Sequence, residues 1–445
     1  MITVNAEKEF LRKSLFEFLR MKFPDYISNG ILKLDVINDN LDNWYIFLKL
    51  DDNEFIDSFV YKNNRNIHFE IKRRIFDKFS TNCEFDKSYG ILTGVRPSKL
   101  SAKIFSKNSL EKSIEFLDKE YRIPVRDSKF LYEIFINQHR CKDTFSKENY
   151  NIYVNIPFCP SRCSYCSFDT AIYNKQKATK YVNSLLDEIS MYENNFSGVP
   201  HSIYIGGGTP SILEVSDLEK ILKLLQNKFG IPKEFTVECG RIDTLSISLL
   251  EMLKSYSVNR ISLNPQSFNE KVVNDLNRNS NRDIQKWFDI AKKIGFDIIN
   301  MDLILGLPGE EIYSILESVK KAIEIAPDNI TIHTLALKNG SKLYENGYIN
   351  KYDYKNLLDK TKLMMKGSGY QPYYMYRQKK SVMNSENIGY SLPNKNSIYN
   401  IVMMDEVENI LGFGAGASTK ILDKNGKFLR NVNTKNLTEY INMRG

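Results

Sequence analysis

Between residues 151 and 345 the chain alternates short apolar runs with stretches whose apolar residues recur every three or four positions. The short runs, 152–156, 202–205, 235–238, 260–263, 298–303 and 330–335, are rich in Ile, Val, Leu or Phe and read as buried strands. The gaps carry helix signals. Ser216 and Glu219 stand at capping-box spacing among Leu218, Ile221, Leu222 and Leu225. Ile312, Ile315, Leu316, Val319 and Ile323 trace a second amphipathic face, and Gly295 closes a third after Ile284, Phe288, Ala291 and Ile294. Six βα units in succession predict an α/β fold with a parallel sheet and right-handed crossovers; six rather than eight predict an open, partial (β/α)6 TIM-like barrel.

The flanks are less regular. Residues 1–147 show a helical start, strand-like runs at 31–36 and 45–50, and several helices around Gly94, Val95, Arg96 and Pro97, which predicts a small N-terminal α/β accessory domain ahead of a barrel at 148–345. The Arg-Pro segment reads as an interdomain turn, with a substrate-facing loop as the alternative. Residues 346–445 read as a C-terminal α+β extension ending in a helical stretch at 437–442. Within it, Tyr370 to Arg377 gathers aromatics beside Arg377 and Lys379, which suits a flat ring bearing carboxylates and equally a packed aromatic strand with an exposed basic edge. Gly412 to Gly416 is followed by no Lys-Ser/Thr pair in register, so close packing or a cap over a ligand replaces the phosphate-loop reading.

A chain of 445 residues that is 42% hydrophobic and 26% charged can bury two or three cores. Its net charge of +8 comes from 62 basic residues interspersed with 54 acidic ones, a solvated surface without the basic block of a nucleic-acid binder. The mild positive bias still suits an anionic substrate. Charged residues interrupt the first 23 positions and no run of 18 apolar residues occurs, so neither a secretion signal nor a membrane span is expected and the cytoplasm is the expected compartment. Of six cysteines, three crowd between positions 159 and 166, unlike the spread framework of a disulfide-stapled protein. Cys83, Cys141 and Cys239 read as reduced structural thiols.

The crowded three are Cys159-Pro-Ser-Arg-Cys163-Ser-Tyr-Cys166, a C-x3-C-x2-C spacing directly after the first strand. Thiolates so arranged are soft ligands for iron, and with no fourth cysteine nearby one metal position stays open; a structural zinc site is the alternative. The other singled-out residues fall at the C-terminal ends of strands, the active rim of α/β barrels. Gly206 to Pro210 follow strand two, Glu238 ends strand three, Gln266 follows strand four, Asp302 nears the end of strand five and Ala336 follows strand six. Gly206, Gly207 and Gly208 strip side chains from a strand end so that peptide groups can approach a ligand, although alone such a triplet is commonly a tight turn. Glu238, acceptor-only when ionised, suits hydroxyls or an ammonium group, or is an ordinary strand-end carboxylate.

The cysteine spacing resembles the signature of the radical S-adenosylmethionine (radical SAM) enzymes. Tyr153, Gly206-Gly-Gly-Thr-Pro210, Glu238, Gln266, Arg278 and Asp302 follow in the order of the oxygen-independent coproporphyrinogen III oxidase family. Ile91-Leu-Thr-Gly-Val-Arg-Pro-Ser-Lys99, Pro372-Tyr-Tyr-Met-Tyr-Arg-Gln378 and Gly412-Phe-Gly-Ala-Gly-Ala-Ser418 resemble its HemZ-type branch. The resemblance implies a [4Fe-4S] cluster on Cys159, Cys163 and Cys166 whose open iron chelates the amino and carboxylate groups of SAM. It implies Tyr153, Gly207 and Glu238 around a first SAM, and Tyr165, Gly208, Thr209, Gln266, Arg278, Asp302 and Ala336 around a second, with Tyr153, Glu238 and Gln266 as the catalytic set.

The implied activity is anaerobic oxidative decarboxylation of coproporphyrinogen III to protoporphyrinogen IX by a 5′-deoxyadenosyl radical. Flavodoxin or ferredoxin would be the electron donor. A monomer that binds neither nucleic acid nor membrane is expected. One departure stands out: where decarboxylating members continue to a fourth cysteine, this chain has Phe168, as do the related haem chaperones. A haem-binding chaperone or a haem-modifying radical SAM protein is therefore the alternative, and the HemZ-like signatures favour the oxidase. The resemblance also implies further sequence beyond residue 445.

Overall fold

The structure, a computed structural model, describes residues 2–24, 30–39, 42–62, 66–81, 85–94, 96–140, 144–278, 283–350, 354, 356–378, 381, 385–424 and 426–443. Cys83, Cys141 and Lys379 lie outside the described residues. Where the sequence predicts divisions near 147 and 345, the chain separates into two compact units, Met1–Phe135 and Ile136–Gly445.

The first unit runs β1 (Ile2–Ala6), α1 (Glu9–Lys22), β2 (Leu32–Asn38), β3 (Asn43–Leu50), β4 (Asn53–Val60), α2 (Ile67–Phe79), α3 (Pro97–Phe105), α4 (Leu110–Tyr121) and most of α5 (Val125–His139). Its sheet has the order β1-β2-β3-β4, with β1 parallel to β2 and the other pairs antiparallel. Alternation aims Leu34 and Val36 of β2, paired with Leu48 and Ile46 of β3, at one face, where they join Leu15 and Phe18 of α1 and Ile71 and Ile75 of α2 in a single core. Two lysines are buried in this core. The Lys22 ammonium donates to the Ser88 carbonyl at 2.7 Å, and Lys72 donates to the Thr93 hydroxyl at 3.2 Å while lying over the rings of Phe18 and Phe69. Burial, then the charge of Lys22, pushes the Lys72 amine down to about 8.

The second unit opens with β5 (Tyr150–Ile156), the short pair β6 (Phe158–Cys159) and β7 (Ala171–Ile172), α6 (Lys175–Met191), β8 (Ser202–Gly207) and α7 (Val215–Phe229). It continues with β9 (Glu234–Glu238), α8 (Ile247–Ser255), β10 (Arg260–Ser262), α9 (Glu270–Asp275), α10 (Ile284–Ile294), β11 (Ile298–Leu305), α11 (Ile312–Ile325) and β12 (Asn329–Thr334). Then come α12 (Lys342–Glu345), α13 (Leu357–Gly367), β13 (Gln371–Arg377), β14 (Glu386–Ser391), α14 (Ile398–Asp405), β15 (Asn409–Phe413), β16 (Ser418–Leu422), β17 (Phe428–Val432) and α15 (Leu437–Asn442).

Strands β5, β8, β9, β10, β11 and β12 lie side by side in that order, each parallel to the next. These are the six predicted strands, and among the described residues the sheet keeps an open strand order. One edge is continued by β15, parallel to β5, and then by antiparallel β16 and β17; the other is continued by antiparallel β14 and β13. The residues after 345 thus extend the barrel sheet at both edges, which accounts for their membership in the same compact unit. Outward residues of the strands, among them Ile152, Val154, Ile203, Ile205, Phe235 and Val237, pack on Leu185 of α6 and Leu218, Ile221 and Leu225 of α7 to form the core.

Two local expectations meet different outcomes. Gly295 does end α10 in the left-handed region, its N–H reaching the Ala291 carbonyl. The capping box at Ser216 is corrected: the N-cap of α7 is Glu214, which places Ser216 inside the first turn, and Glu219 instead accepts a hydrogen bond from the Tyr256 hydroxyl at 2.9 Å. Among the described residues no helix is long and apolar enough to cross a membrane.

Candidate functional site

The C-terminal ends of the six parallel strands surround a cavity of about 390 Å³. Its lining includes Cys159, Cys163, Cys166, Tyr165, Gly207, Gly208, Thr209, Glu238, Gln266, Arg278, Asp302 and Ala336, so twelve of the thirteen expected site residues share one chamber. Tyr153 is the exception. The pleat of β5 turns Tyr153 and Asn155 to the same face, and Tyr153 stacks against Tyr204 and Tyr399 with ring centroids 6.2 and 6.0 Å away. Its hydroxyl donates to the Asn155 side chain at 3.1 Å, and the neighbouring Tyr204 is the ring that lines the cavity.

The thiols occupy the loop between β5 and α6. Cys163 is buried, while Cys159 and Cys166 are partly exposed. Burial pushes the Cys159 and Cys166 thiols up, so a metal must displace their protons. Each sulfur has a donor: the Thr209 hydroxyl lies 3.5 Å from Cys159, the Arg241 guanidinium 3.8 Å from Cys163, and the Phe168 N–H faces Cys166. Such donors suit thiolate charge on a bound cluster. Among the described residues no three His, Cys, Asp or Glu side chains converge closely enough to hold a single metal ion. A cubane binds its cysteines at separate corners and needs no such convergence. Cys239 is no fourth ligand: it is fully buried in the core beyond β9, and burial pushes its thiol up to about 12.

The glycine segment is dictated by backbone proximity. A Cβ on Gly208 would lie 2.5 Å from the Phe158 carbonyl oxygen, and Gly207 has a φ of +110°. The Gly208 and Thr209 N–H groups are taken by the carbonyls of Ile156 and Phe158, at 2.8 and 2.7 Å, so among these peptide groups the approach to a ligand falls to the carbonyls.

Glu238 accepts a short hydrogen bond from the Tyr204 hydroxyl and another from the Gly207 N–H. Burial, reinforced by the charge of Asp302, nevertheless pushes its carboxyl up to about 7. Gln266 has a φ of +66°, uncommon for a residue with a side chain. Its backbone bridges to β11 through Asp302 and Ile304, while its side-chain oxygen is buried without a hydrogen-bond partner. The Asn264 side-chain oxygen is in the same condition on the same wall. Two orphaned acceptors facing one chamber are suited to a ligand that brings N–H or O–H donors. Arg278 is buried and donates to the Gly240 carbonyl at 2.6 Å, to the Asn264 carbonyl, and to the Tyr165 hydroxyl at 3.4 Å.

Tyr204, Arg241, Asn264, His333 and Lys338 also line the cavity and were missed. Their signal was positional: Tyr204 alternates inward between Ile203 and Ile205, Asn264 directly follows strand four, and His333 lies inward on strand six. The aromatic segment of β13 contributes Tyr374 and Tyr376, followed by Gln378. Arg377 is buried, so the basic edge expected there is not exposed at that residue. Phe168 lines the cavity with 65% of its surface exposed.

Comparison with known proteins agrees with this geometry. The radical SAM superfamily matches residues 153–322. The oxygen-independent coproporphyrinogen-III oxidase-like protein HemZ of Bacillus subtilis is 35% identical over 383 residues, covering 80% of this chain and 74% of that protein. The haem chaperone HemW of Lactococcus lactis is 31% identical over 60% of this chain and 68% of its own. The solved radical SAM enzyme coproporphyrinogen III oxidase (HemN) of Escherichia coli superposes with a TM-score of 0.55 at 23% identity, covering 66% of this chain and 69% of that one, a likeness of fold. The chain belongs to the radical SAM superfamily and, within it, to the oxygen-independent coproporphyrinogen III oxidase-like proteins of HemZ type. Its cofactors are those of the superfamily, a [4Fe-4S] cluster and S-adenosyl-L-methionine.

Proposed function

We propose that the chain is an oxidoreductase that converts propionate side chains of coproporphyrinogen III to vinyls, giving protoporphyrinogen IX in anaerobic porphyrin biosynthesis in the cytoplasm. The observation that carries this reading is the single cavity that holds three thiols, the strand-end acceptors and an aromatic, polar wall of Tyr374, Tyr376, His333 and Gln378. In this reading Cys159, Cys163 and Cys166 ligate the cluster, and the carbonyls of Gly207 and Gly208 together with Glu238 hold the head and ribose of one SAM. Gln266, Asn264, Asp302 and Arg278 offer acceptors and a cation to a second SAM or to the substrate. When bound, the cluster and SAM would supply one-electron cleavage of the sulfonium and abstraction of a substrate hydrogen atom, after which the substrate would lose carbon dioxide and give up one electron to a one-electron acceptor. The tyrosine faces suit a flat macrocycle, and Lys338 beside the thiols suits an anionic side chain. These side chains hold the reacting carbon in place and keep water out. Flavodoxin or ferredoxin fits as electron donor, because SAM cleavage needs the low end of cluster potentials.

The test is anaerobic incubation of reconstituted protein with SAM, a reductant and coproporphyrinogen III, followed by chromatography. Equal release of 5′-deoxyadenosine and carbon dioxide is expected. A second reading, haem binding for delivery, is favoured by Phe168, an exposed aromatic at the cavity in the place where the family resemblance implies a cysteine for decarboxylating members. Stoichiometric haem uptake with no decarboxylated product would decide for it.

A further inference from the structure

We propose that Arg241 is a positioning residue for electron transfer: clamped by Asp243, its guanidinium donates to the Cys163 sulfur and sets the reduction potential of the cluster. The inference rests on the assignment of Cys159, Cys163 and Cys166 as cluster ligands made above.

Arg241 follows β9 by three residues and is only 5% exposed. Its Nε and Nη2 donate to the two oxygens of Asp243 at 3.0 and 2.7 Å, a two-pronged grip that fixes the plane of the guanidinium. Against the upward push of burial, Arg241 holds the Asp243 carboxyl below its ordinary value, so the clamp is ionic. The remaining nitrogen, Nη1, donates to the Ser161 hydroxyl at 2.8 Å and reaches the Cys163 sulfur at 3.8 Å. Arg278 approaches the same sulfur. Cys159 and Cys166, by contrast, receive hydrogen bonds from neutral donors, the Thr209 hydroxyl and the Phe168 N–H. The most enclosed of the three sulfurs therefore carries the charged donors.

One electron arriving from a low-potential one-electron donor adds negative charge that spreads onto the thiolate sulfurs. No bond breaks and no proton moves. A cationic donor at the Cys163 sulfur stabilises the reduced form more than the oxidised one and so raises the potential. The Asp243 carboxylate opposes it by its charge while holding the guanidinium in place. Arg241 and Asp243 therefore act with opposite signs, which a purely structural role would not produce.

The experiment reconstitutes the 445-residue chain and its R241Q, R241K and D243N variants without oxygen, measures iron and sulfide, and titrates each with titanium(III) citrate while following the electron paramagnetic resonance signal of the reduced cluster. R241Q is expected to lower the one-electron reduction equilibrium constant about tenfold, a shift of about 59 mV to more negative potential. D243N is expected to shift it the other way, and R241K, which keeps the charge without the planar grip, to fall between R241Q and the wild type. Potentials equal to the wild type at equal iron content, or R241Q and D243N shifted in the same direction, would overturn the proposal. A wild-type chain that assembles no [4Fe-4S] cluster would overturn both the proposal and the ligand assignment beneath it, an outcome recognisable from the iron analysis alone.

Discussion

The carboxyl of Glu238 offers a quantitative handle on the site. Burial, then the negative charge of Asp302, raises it to about 7, against the lowering effect of the Tyr204 hydroxyl and the Gly207 N–H. If the ionised form is what accepts the hydroxyls or ammonium of SAM, affinity follows the ionised fraction, about 90% at pH 8, about half at pH 7 and about 10% at pH 6. Between pH 8 and pH 6 the dissociation constant should therefore rise about tenfold. Glu238→Gln removes the titrating group, so subtracting its profile also removes the titration of SAM itself. Tyr204→Phe removes a donor to the ionised form and should move the midpoint upward. In the absence of ligand the sign for folding is the reverse: the raised carboxyl contributes stability below its ordinary value near 4.5 that is lost as pH rises through about 7. Anaerobic equilibrium dialysis of SAM against reconstituted protein from pH 5.5 to 8.5 reads the effect. Parallel wild-type and Glu238→Gln profiles would refute both the shifted carboxyl and its contact with the ligand.

Other parts of the chain lead to further expectations. Lys72 is held at about 8 from an ordinary 10.5, so its charge costs about 3 kcal/mol at neutral pH, a penalty relieved as pH rises from 8 to 10.5. Lys72→Met should accordingly stabilise the first unit by an amount of that order and flatten its pH dependence, read from denaturant unfolding followed at Trp44, which is buried in the same core. Gly208→Ala forces a methyl group against the Phe158 carbonyl, and a loss of about 1–3 kcal/mol with reduced iron loading is expected from melting and metal analysis. Phe168→Cys replaces an exposed side chain, so melting should move by no more than about 0.5 kcal/mol and iron content should not change; product analysis then reports whether this position governs decarboxylation.

The barrel was legible because each of its strands is an apolar run bounded by turn residues, and because parallel order follows from repeated βα units. Less legible was whatever depends on partners distant in sequence. β1 and β4 carry too many polar residues to announce themselves, and form by pairing with β2 and β3. Likewise β13 and β15 read locally as an aromatic strand and a glycine-rich turn, yet belong to the barrel sheet because β14 and β5 offer them open edges. The cysteines stood out by their crowded spacing, and the strand-end acceptors by their order along a family motif. Arg241 and Asn264 were overlooked because arginine and asparagine in loops are common, and only the burial of the Arg241 side chain and of the Asn264 side-chain oxygen distinguishes these two. A motif position tells nothing of which ring, that of Tyr153 or that of Tyr204, lines the cavity, and Tyr204 was overlooked for that reason.

The first barrel strand obtains its second neighbour only when residues 409–413 have been made, more than 240 positions after the thiols that follow it. Asn155, at the end of that strand, is likewise tied to the Ala415 carbonyl. During synthesis the iron-binding loop therefore leaves the ribosome on an incompletely braced scaffold, and its bracing is among the last steps of folding. Loading of iron and sulfide thereby waits for residues 409–415, and nascent chains stalled before residue 409 should bind no cluster.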